Sequence, residues 1–314
     1  MLNLHRLRIL REIGLRGSVT AAAEALWMTP PSVSQHMSAL EAETGVALLE
    51  RVGRGVRLTP AAHRLVAHTE HMLAEMERAE ADLAVAREAV AGSLAISAPA
   101  TAARSIVIPA AVELLRDHPA LELHLSDIEQ PESLVELRSG NIDIALGLEY
   151  TFTPVVDQPG FDIELLVSEP VYVALPASHP LAGAPNLRLA DLRDERWFAA
   201  RGPNPCRDAV LQATANGGFE PRIELLSTID YQVTLAAVGA GLGVTLVPHL
   251  ALYGDYPDVS LSALTDPPLR RRIFAAMREG SRTSPAVAAA LEALHRAAET
   301  VARSFREDAE TTAA

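Results

Sequence analysis

Lysine is absent from the 314-residue sequence, so all 27 of its basic side chains are arginines. Cysteine is nearly absent, since Cys206 is the single one. One cysteine cannot form a disulfide within a chain, and it lacks the second thiol that a thiol–disulfide switch requires. Aromatic residues make up 4% of the chain, so aliphatic side chains and alanine must fill the cores.

Long apolar runs are also missing. The first ten residues alternate leucine with polar and basic residues, and they lack the apolar centre of a signal peptide. The most apolar run, 233–247, contains three glycines and falls short of the ~20 residues that a membrane span needs. We therefore expect a soluble cytoplasmic protein with no membrane partner.

Catalytic motifs are absent too. The sequence contains no P-loop, no Gly-x-Ser-x-Gly and no His-Glu-x-x-His, and its ten histidines are scattered. We expect no enzyme activity, no catalytic residue, no metal site and no resident cofactor. A pure ligand receptor is the second alternative, which the C-terminal two-thirds alone would permit. The missing export signal and the N-terminal pattern described next argue against it.

Charge is distributed unevenly. The net charge is −13, yet residues 1–64 contain eight arginines against five glutamates, a balance of +3. A basic head on an acidic body suits contact with phosphates at one end of the molecule, although +3 alone is weak evidence.

Three short helices are predicted in this basic segment. Leucine and isoleucine at helical spacing indicate the first, which Gly14 and Gly17 should end. Ser18 or Thr20 is a suitable cap for the second, and Thr29, followed by prolines, for the third. The predicted ranges of the second and third are 21–27 and 30–42.

The third helix has two different faces. Val33, Met37 and Leu40 share a face that can pack on the first two helices. The other face carries short polar side chains that a major groove can accommodate: Ser32, Gln35, Ser38 and Ala39, with Ser34 at its flank. The alternative is an ordinary solvated helix surface.

A small hairpin follows. Residues 48–60 read as strand, tight turn and strand, with Arg51, Arg54 and Arg57 separated by glycines. Such a hairpin beside a helix-turn-helix is a wing, which can track the DNA backbone or enter the minor groove. The alternative is a solvated turn.

The string GSVTAAAEALWMTPPSVSQHMSALEAETGVALLERVGRGVRLTPAA, residues 17–62, resembles the signature of the LysR-type transcriptional regulators. The resemblance implies a sequence-specific winged helix-turn-helix regulator that binds double-stranded DNA at an interrupted palindromic operator. The DNA-binding residues predicted on these grounds are Thr29, Pro31, Ser32, Ser34, Gln35, Arg51, Arg54 and Arg57. Pro30 stands where the family usually has glutamine, so the usual operator preference is not expected.

A heptad stripe continues beyond the wing. Apolar residues and one threonine recur at alternating steps of four and three from Leu58 to Val90. The stripe can pack against its own chain or against a second copy, and its length favours the second copy. The resemblance implies a homodimer or homotetramer formed through this linker helix, with RNA polymerase as a further partner.

The C-terminal two-thirds alternate strands with helices, and the βαβαβ pattern of residues 94–146 predicts a mostly parallel sheet. Together with the family resemblance, this implies a multidomain α/β fold class: a winged helix-turn-helix, a long linker helix and a two-lobed effector-binding domain that resembles periplasmic binding proteins. The predicted domains are 1–59, 60–91 and 92–304, with lobe I at 92–163 and 268–304, lobe II at 164–267, and a disordered tail at 305–314.

A small-molecule effector should bind between the lobes, where strand ends and helix N-termini meet. The resemblance places effector contacts at Pro99, Thr101, Gln130, Leu148, Arg201 and Ile229. Thr101 can equally be a helix cap. Arg201 can bind a ligand carboxylate or pair with Asp208 or Glu195. Ligand binding would then alter the spacing of two recognition helices on DNA.

Overall fold

The computed structural model describes residues 1–53, 55–85, 90–152, 159–184, 187–200, 202–223, 228, 230–264 and 268–305 in full, and the backbone of 306–313. The chain forms two compact units. Unit 1 consists of residues 1–87 together with 278–284, and unit 2 consists of 88–277 together with 285–314. No helix in the described ranges is long and apolar enough to cross a membrane.

Unit 1 begins with three helices, as predicted, although their bounds differ. They are α1 (Leu4–Arg16), α2 (Val19–Ala25) and α3 (Pro30–Thr44). The predicted break at Gly14 is wrong: this glycine lies inside α1, where a Cβ would stand 2.7 Å from Leu58 Cδ1. Gly14 therefore permits close packing, and the left-handed Gly17 (φ 71°) ends the helix.

The second helix ends earlier than predicted. It was expected to reach Trp27, but Trp27 adopts a left-handed conformation with φ 53°. Its amide donates to Glu24 O at 3.1 Å, and the Met28 amide donates to Ala23 O at 2.8 Å. These bonds form a tight turn that directs the chain into α3, and they leave the indole 97% exposed.

The wing and a long helix complete unit 1. Strands β1 (Leu49–Val52) and β2 (Gly55–Leu58) form the antiparallel hairpin, and α4 runs over Pro60–Val85. Leu58 and Ala62 belong to the same buried cluster as the core residues of α1–α3. Within this unit the segment 278–284 packs on α4, where Arg278 Nε is 2.6 Å from Glu77 Oε1.

The strands of unit 2 are β3 (Gly92–Ser97), β4 (Leu121–Ser126), β5 (Ile144–Tyr150), β6 (Phe161–Pro176), β7 (Arg196–Trp197), β8 (Arg222–Ile223), β9 (Thr245–Pro248), β10 (Val259–Ala263) and β11 (Arg270–Arg278). Seven of them form one sheet in the order β10-β6-β11-β5-β3-β4, with β9 paired to β6. A separate pair, β7–β8, is parallel.

The parallel pairing expected of the βαβαβ segment is confirmed, but the sheet as a whole is mixed. Strand β3 pairs in parallel with β4 and β5. The pairs β5–β11, β6–β9 and β6–β10 are antiparallel. The βαβ pattern holds for the first three strands only. The βαβ rule applies where a crossover helix joins two neighbouring parallel strands. Among the described residues no such helix joins β6 or β11 to a parallel neighbour, so the rule does not determine the direction of these two strands.

Helices cover this sheet. They are α5 (Ala100–Ala102), which continues through a π-helical turn (Ala103–Val107) into α6 (Ile108–Asp117), then α7 (Glu132–Ser139), α8 (Pro205–Asn216), α9 (Tyr231–Gly239) and α10 (Pro285–Ala313). The sequence predicts the end of α10 at Ser304. The helix instead continues through 305–313, a segment that contains alanine and glutamate, which favour helix, and neither glycine nor proline.

Two large buried clusters lie within unit 2. One joins β3, β5 and β11 to α6 and α10. The other surrounds Trp197 and includes residues of β6, α8 and β9. Two cores are what a two-lobed domain requires. The exact lobe and domain boundaries stay predictions.

Candidate nucleic-acid interface and ligand cavity

The recognition surface of unit 1 is the solvent face of α3. Thr29 caps the helix by accepting a hydrogen bond from Ser32 N at 3.4 Å. Val33, Met37 and Leu40 are buried, as predicted. Pro31, Ser34 and Gln35 are exposed and Ser32 is half-buried, so the predicted side chains lie on the accessible part of the helix.

Glu41 fixes the wing to α3, a role that sequence reasoning missed. Its Oε1 accepts hydrogen bonds from Leu48 N at 2.7 Å and from Leu49 N at 3.1 Å, where β1 begins. A carboxylate that accepts two backbone amides is a strong local restraint. The available signal in the sequence was a glutamate directly after the apolar Leu40, just ahead of the hairpin.

The wing arginines are not equivalent. The hairpin register pairs Arg51 with Val56 and Glu50 with Arg57, so Arg51 and Arg57 lie on opposite faces. Arg57 Nη2 is 2.6 Å from Glu50 Oε1, whereas Arg51 is exposed and has no ion pair with a described residue. Arg54 lies outside the described residues.

Unit 2 contains a cavity of about 40 Å³ that is partly open to solvent. Three of the six predicted effector residues, Pro99, Thr101 and Leu148, line it. Gln130 is buried beside it, and its Oε1 accepts from Leu148 N at 2.6 Å. Arg201 and Ile229 lie outside the described residues.

One residue of the cavity wall, Arg271, belongs to a buried ion pair. Arg271 is 1% exposed and Glu169 is fully buried. Arg271 Nε donates to Glu169 Oε1 at 2.6 Å, and Arg271 Nη2 donates to Thr101 Oγ1 at 3.0 Å. Glu169 Oε2 accepts from Leu250 N at 2.7 Å. Although burial by itself would lower it, the pKa of Arg271 is raised by the carboxylate of Glu169, so the guanidinium keeps its charge.

Thiol and phenol groups lie next to this pair. Tyr150 OH donates to Cys206 Sγ at 3.3 Å. Burial raises the pKa of the Cys206 thiol, and it raises the pKa values of Tyr150 and Tyr231 well above their ordinary values. All three groups are therefore neutral near pH 7.

Sequence reasoning missed Glu169, Arg271 and Tyr231. Glu169 interrupts an apolar strand, and Arg271 is the middle of three consecutive arginines in β11. Because side chains of a strand alternate between faces, Arg271 must face opposite to both of its neighbours. That alternation was the available signal, but it could not identify the partner, which is 102 residues distant.

Comparisons with known proteins agree with this architecture. Residues 4–63 match the bacterial regulatory helix-turn-helix of the lysR family, and residues 87–299 match the LysR substrate binding domain. HTH-type transcriptional regulator AlsR of Bacillus subtilis is 31% identical over 233 residues, which cover 73% of this chain and 75% of that protein. A probable hydrogen peroxide-inducible genes activator of Streptomyces viridosporus is 31% identical over 266 residues, which cover 83% of each chain.

Solved structures give the same result. An OxyR cysteine mutant of Corynebacterium glutamicum superposes with a TM-score of 0.60 at 26% identity, covering 98% of this chain and 95% of that one. The resemblance drawn from residues 17–62 is thereby confirmed, as are the fold class and the expectation that the chain is not an enzyme. The chain belongs to the LysR family of transcriptional regulators, with a DNA-binding helix-turn-helix and an effector-binding domain.

Proposed function

We propose that this regulator reads an interrupted palindromic operator through α3 and the wing, and that a small molecule in the unit 2 cavity modulates this binding in the cytoplasm. The observation that carries the DNA-binding part is the solvent face of α3, where Ser34 and Gln35 are exposed while Val33 and Met37 are buried. Short polar side chains on an otherwise anchored helix can reach base edges in a major groove.

The contacts divide into two roles. Ser34 and Gln35 would read bases, while Thr29, Pro31 and Ser32 position the N-terminus of α3 beside the phosphate backbone. Arg51 would contact phosphates from one face of the wing and Arg57 from the other, with Arg54 at the turn. The exposed Arg57–Glu50 pair is weak in water, so a phosphate can compete for Arg57.

Selection of bound fragments from the source genome at near-physiological salt tests the proposal. We expect an enriched interrupted palindrome, because two copies of α3 related by a twofold axis read two half-sites. Binding that vanishes as salt rises, with no enriched sequence, would show that the contact with DNA is purely electrostatic.

We further propose that α4 forms the dimer contact. Of its heptad stripe, Ala62 and Thr69 are buried within unit 1, but Met72 and Met76 are 39% and 41% exposed and Leu83 is 66% exposed. Such a row of apolar side chains is suited to a second copy of α4. A tetramer and contact with RNA polymerase would build on this dimer.

Sedimentation analysis tests the contact. Met76→Glu combined with Leu83→Glu should shift the protein to monomer, because burying two carboxylates opposes helix pairing. The control is Ala67→Glu, a new charge at an exposed position of α4 outside the stripe. A double variant that remains dimeric would place the contact elsewhere.

The effector site rests on the cavity wall. Pro99, Thr101 and Leu148 line the cavity directly. Gln130 would act indirectly, because its side-chain oxygen accepts a hydrogen bond from the Leu148 amide and so positions Leu148. We include Arg201 and Ile229 as proposed contacts by resemblance. Leu148→Phe should fill the space and abolish any effect of ligand on operator affinity, while ligand-free operator binding is retained.

Peroxide sensing is a second candidate, because Cys206 lines the cavity and two of the relatives are a peroxide-inducible activator and an OxyR. The raised pKa of Cys206 opposes it, because a thiol reacts with peroxide as the thiolate. Cys206→Ser and wild type should show the same operator affinity before and after peroxide treatment. A response of the wild type alone would favour the sensor.

A further inference from the structure

We propose that the cavity selects a small ligand without net charge that carries both a hydrogen-bond acceptor and a hydrogen-bond donor, and that it discriminates against carboxylate anions. This inference rests on the proposed function of the cavity as the effector site, and it names the chemical class that the wall would recognise.

The first argument is that the cationic group in the described wall is already neutralised. Arg271 uses Nε and Nη2 on Glu169 Oε1, both at 2.6 Å, and both residues are buried. The second oxygen of Glu169 is held by the Leu250 amide. An incoming carboxylate would have to share the guanidinium with Glu169, at a place where solvent screens repulsion poorly.

The second argument is a further carboxylate on the wall. Glu129 lines the cavity and is half-buried, and its Oε2 accepts from Asn204 Nδ2 at 2.8 Å. Its Oε1 has no hydrogen-bond partner among the described residues. Among the described wall residues an anion would therefore meet the carboxylate of Glu129 and a guanidinium that Glu169 already neutralises, whereas a ligand N–H or O–H would satisfy Glu129 Oε1.

The remaining polar side chains in the described part of the wall are uncharged. Hydroxyls of Thr101, Thr228 and Thr245, the thiol of Cys206 and the phenol of Tyr231 line the same space. Burial raises the pKa values of Cys206 and Tyr231, so neither provides a thiolate or phenolate that would bind a cation. Such a wall recognises hydroxyl, carbonyl and amide groups.

The acceptor of the ligand belongs at Arg271. Arg271 lines the cavity, and its Nη1 has no hydrogen-bond partner among the described residues. A guanidinium N–H that no protein group uses can donate to a ligand carbonyl or hydroxyl oxygen. Arg271 Nη1 and Glu129 Oε1 thus define the two polar ends of the ligand.

Matched pairs of probes test the charge preference. Full-length protein at pH 7 is titrated, with detection by NMR, with propionamide and propionate, lactamide and lactate, and benzamide and benzoate. We expect each amide to bind at least about tenfold more tightly than its carboxylate. Loss of binding in Leu148→Phe, or in Val210→Phe if the first variant does not fold, shows that the probe occupies this cavity.

Two charge variants provide the control. Glu129→Gln should strengthen carboxylate binding by about fivefold to tenfold and leave the amides little changed, because it removes one negative charge from the wall. Glu132→Gln makes the same change in net charge on an exposed residue of α7 outside the cavity, and should have no effect.

The outcomes separate the two proposals. Carboxylates that bind more tightly than amides, and that are displaced by Leu148→Phe, would overturn the ligand class while supporting the effector site. Absence of binding by all six probes, or binding that neither blocking variant affects, would count against the cavity as an effector site and against the ligand class together.

Discussion

The two regions proposed to bind DNA and a small molecule differ in how their polar side chains are satisfied. The proposed DNA-reading residues belong to a single stretch of chain, 29–57, in which Ser34, Gln35 and Arg51 are exposed, while Val33, Met37 and Leu40 of the same stretch are buried. The cavity is assembled from Thr101, Glu129, Cys206 and Arg271, which are distant in sequence, and its buried guanidinium is already paired with Glu169.

The difference shows what each region must do. A surface that reads DNA must leave its hydrogen-bonding groups available, since the partner supplies the missing half. A cavity that holds a small molecule must satisfy its buried charges in the empty state, because an unpaired buried charge is strongly destabilising. Substitution of an exposed polar side chain in the first region should therefore cost little stability, whereas loss of one partner of the buried ion pair in the second should cost much.

The largest expected effect is at the buried ion pair. Arg271→Ala should lower the free energy of unfolding by about 3–5 kcal/mol, because it leaves Glu169 charged and unpaired. Chemical denaturation followed by circular dichroism measures it. Arg270→Ala is the matched control: this neighbour is exposed and donates to Ser168, so it should cost less than about 1 kcal/mol. Equal losses would contradict the comparison.

A smaller effect is expected on base reading. Gln35→Ala should cost about 2 kcal/mol of operator affinity, without changing affinity for random DNA or stability. Arg51→Ala should instead weaken binding to both DNAs and reduce the salt dependence. Fluorescence anisotropy over a range of salt concentrations separates the two. The same effect of both variants on random DNA would contradict the assigned roles.

Glu41 tests the link between α3 and the wing. Glu41→Gln keeps one carbonyl oxygen but loses the charge, and should cost about 1.5 kcal/mol of stability. Binding to all DNA should weaken, because the wing is no longer held in place. Glu43→Gln, two residues along the same helix, is the control. Unchanged amide exchange at Leu48 and Leu49 in the Glu41 variant would argue against this role.

The smallest expected effect is a gain in stability. Trp27→Asn should stabilise unit 1 by about 0.5–1 kcal/mol, because asparagine tolerates the left-handed conformation better and little buried surface is lost. Thermal unfolding measures it, with Trp27→Val as the control, since a β-branched residue should be worse there. A loss of stability with asparagine would mean that the indole makes a contact of its own.

Unit 1 was largely predictable from the sequence. The helices, the wing and the buried face of α3 follow from local periodicity, caps and glycines. The errors, at Gly14 and Trp27, arose where tertiary packing or a left-handed residue overrides a local rule. Neither the approach of Leu58 to Gly14 nor the turn at Trp27 is visible in a helical pattern.

The cavity was predictable only in part. The βαβ pattern and the family resemblance located the strand ends, and hence Pro99, Thr101 and Leu148. The antiparallel insertion of β11 between β5 and β6 brings Arg271 to Glu169, and no local pattern encodes such a long-range pairing. The same insertion is why the sheet is mixed.

The chain contains two tryptophans, and they differ as much as the two regions do. Trp27 is 97% exposed beside α3, while Trp197 is fully buried in a core of unit 2. Indole emission depends on contact with water, so the unlabelled protein carries two distinguishable fluorophores, one in each unit. Replacing either tryptophan with phenylalanine would leave a single fluorophore. Emission from Trp27 could then be used to follow DNA binding at unit 1, and emission from Trp197 to follow ligand binding in unit 2.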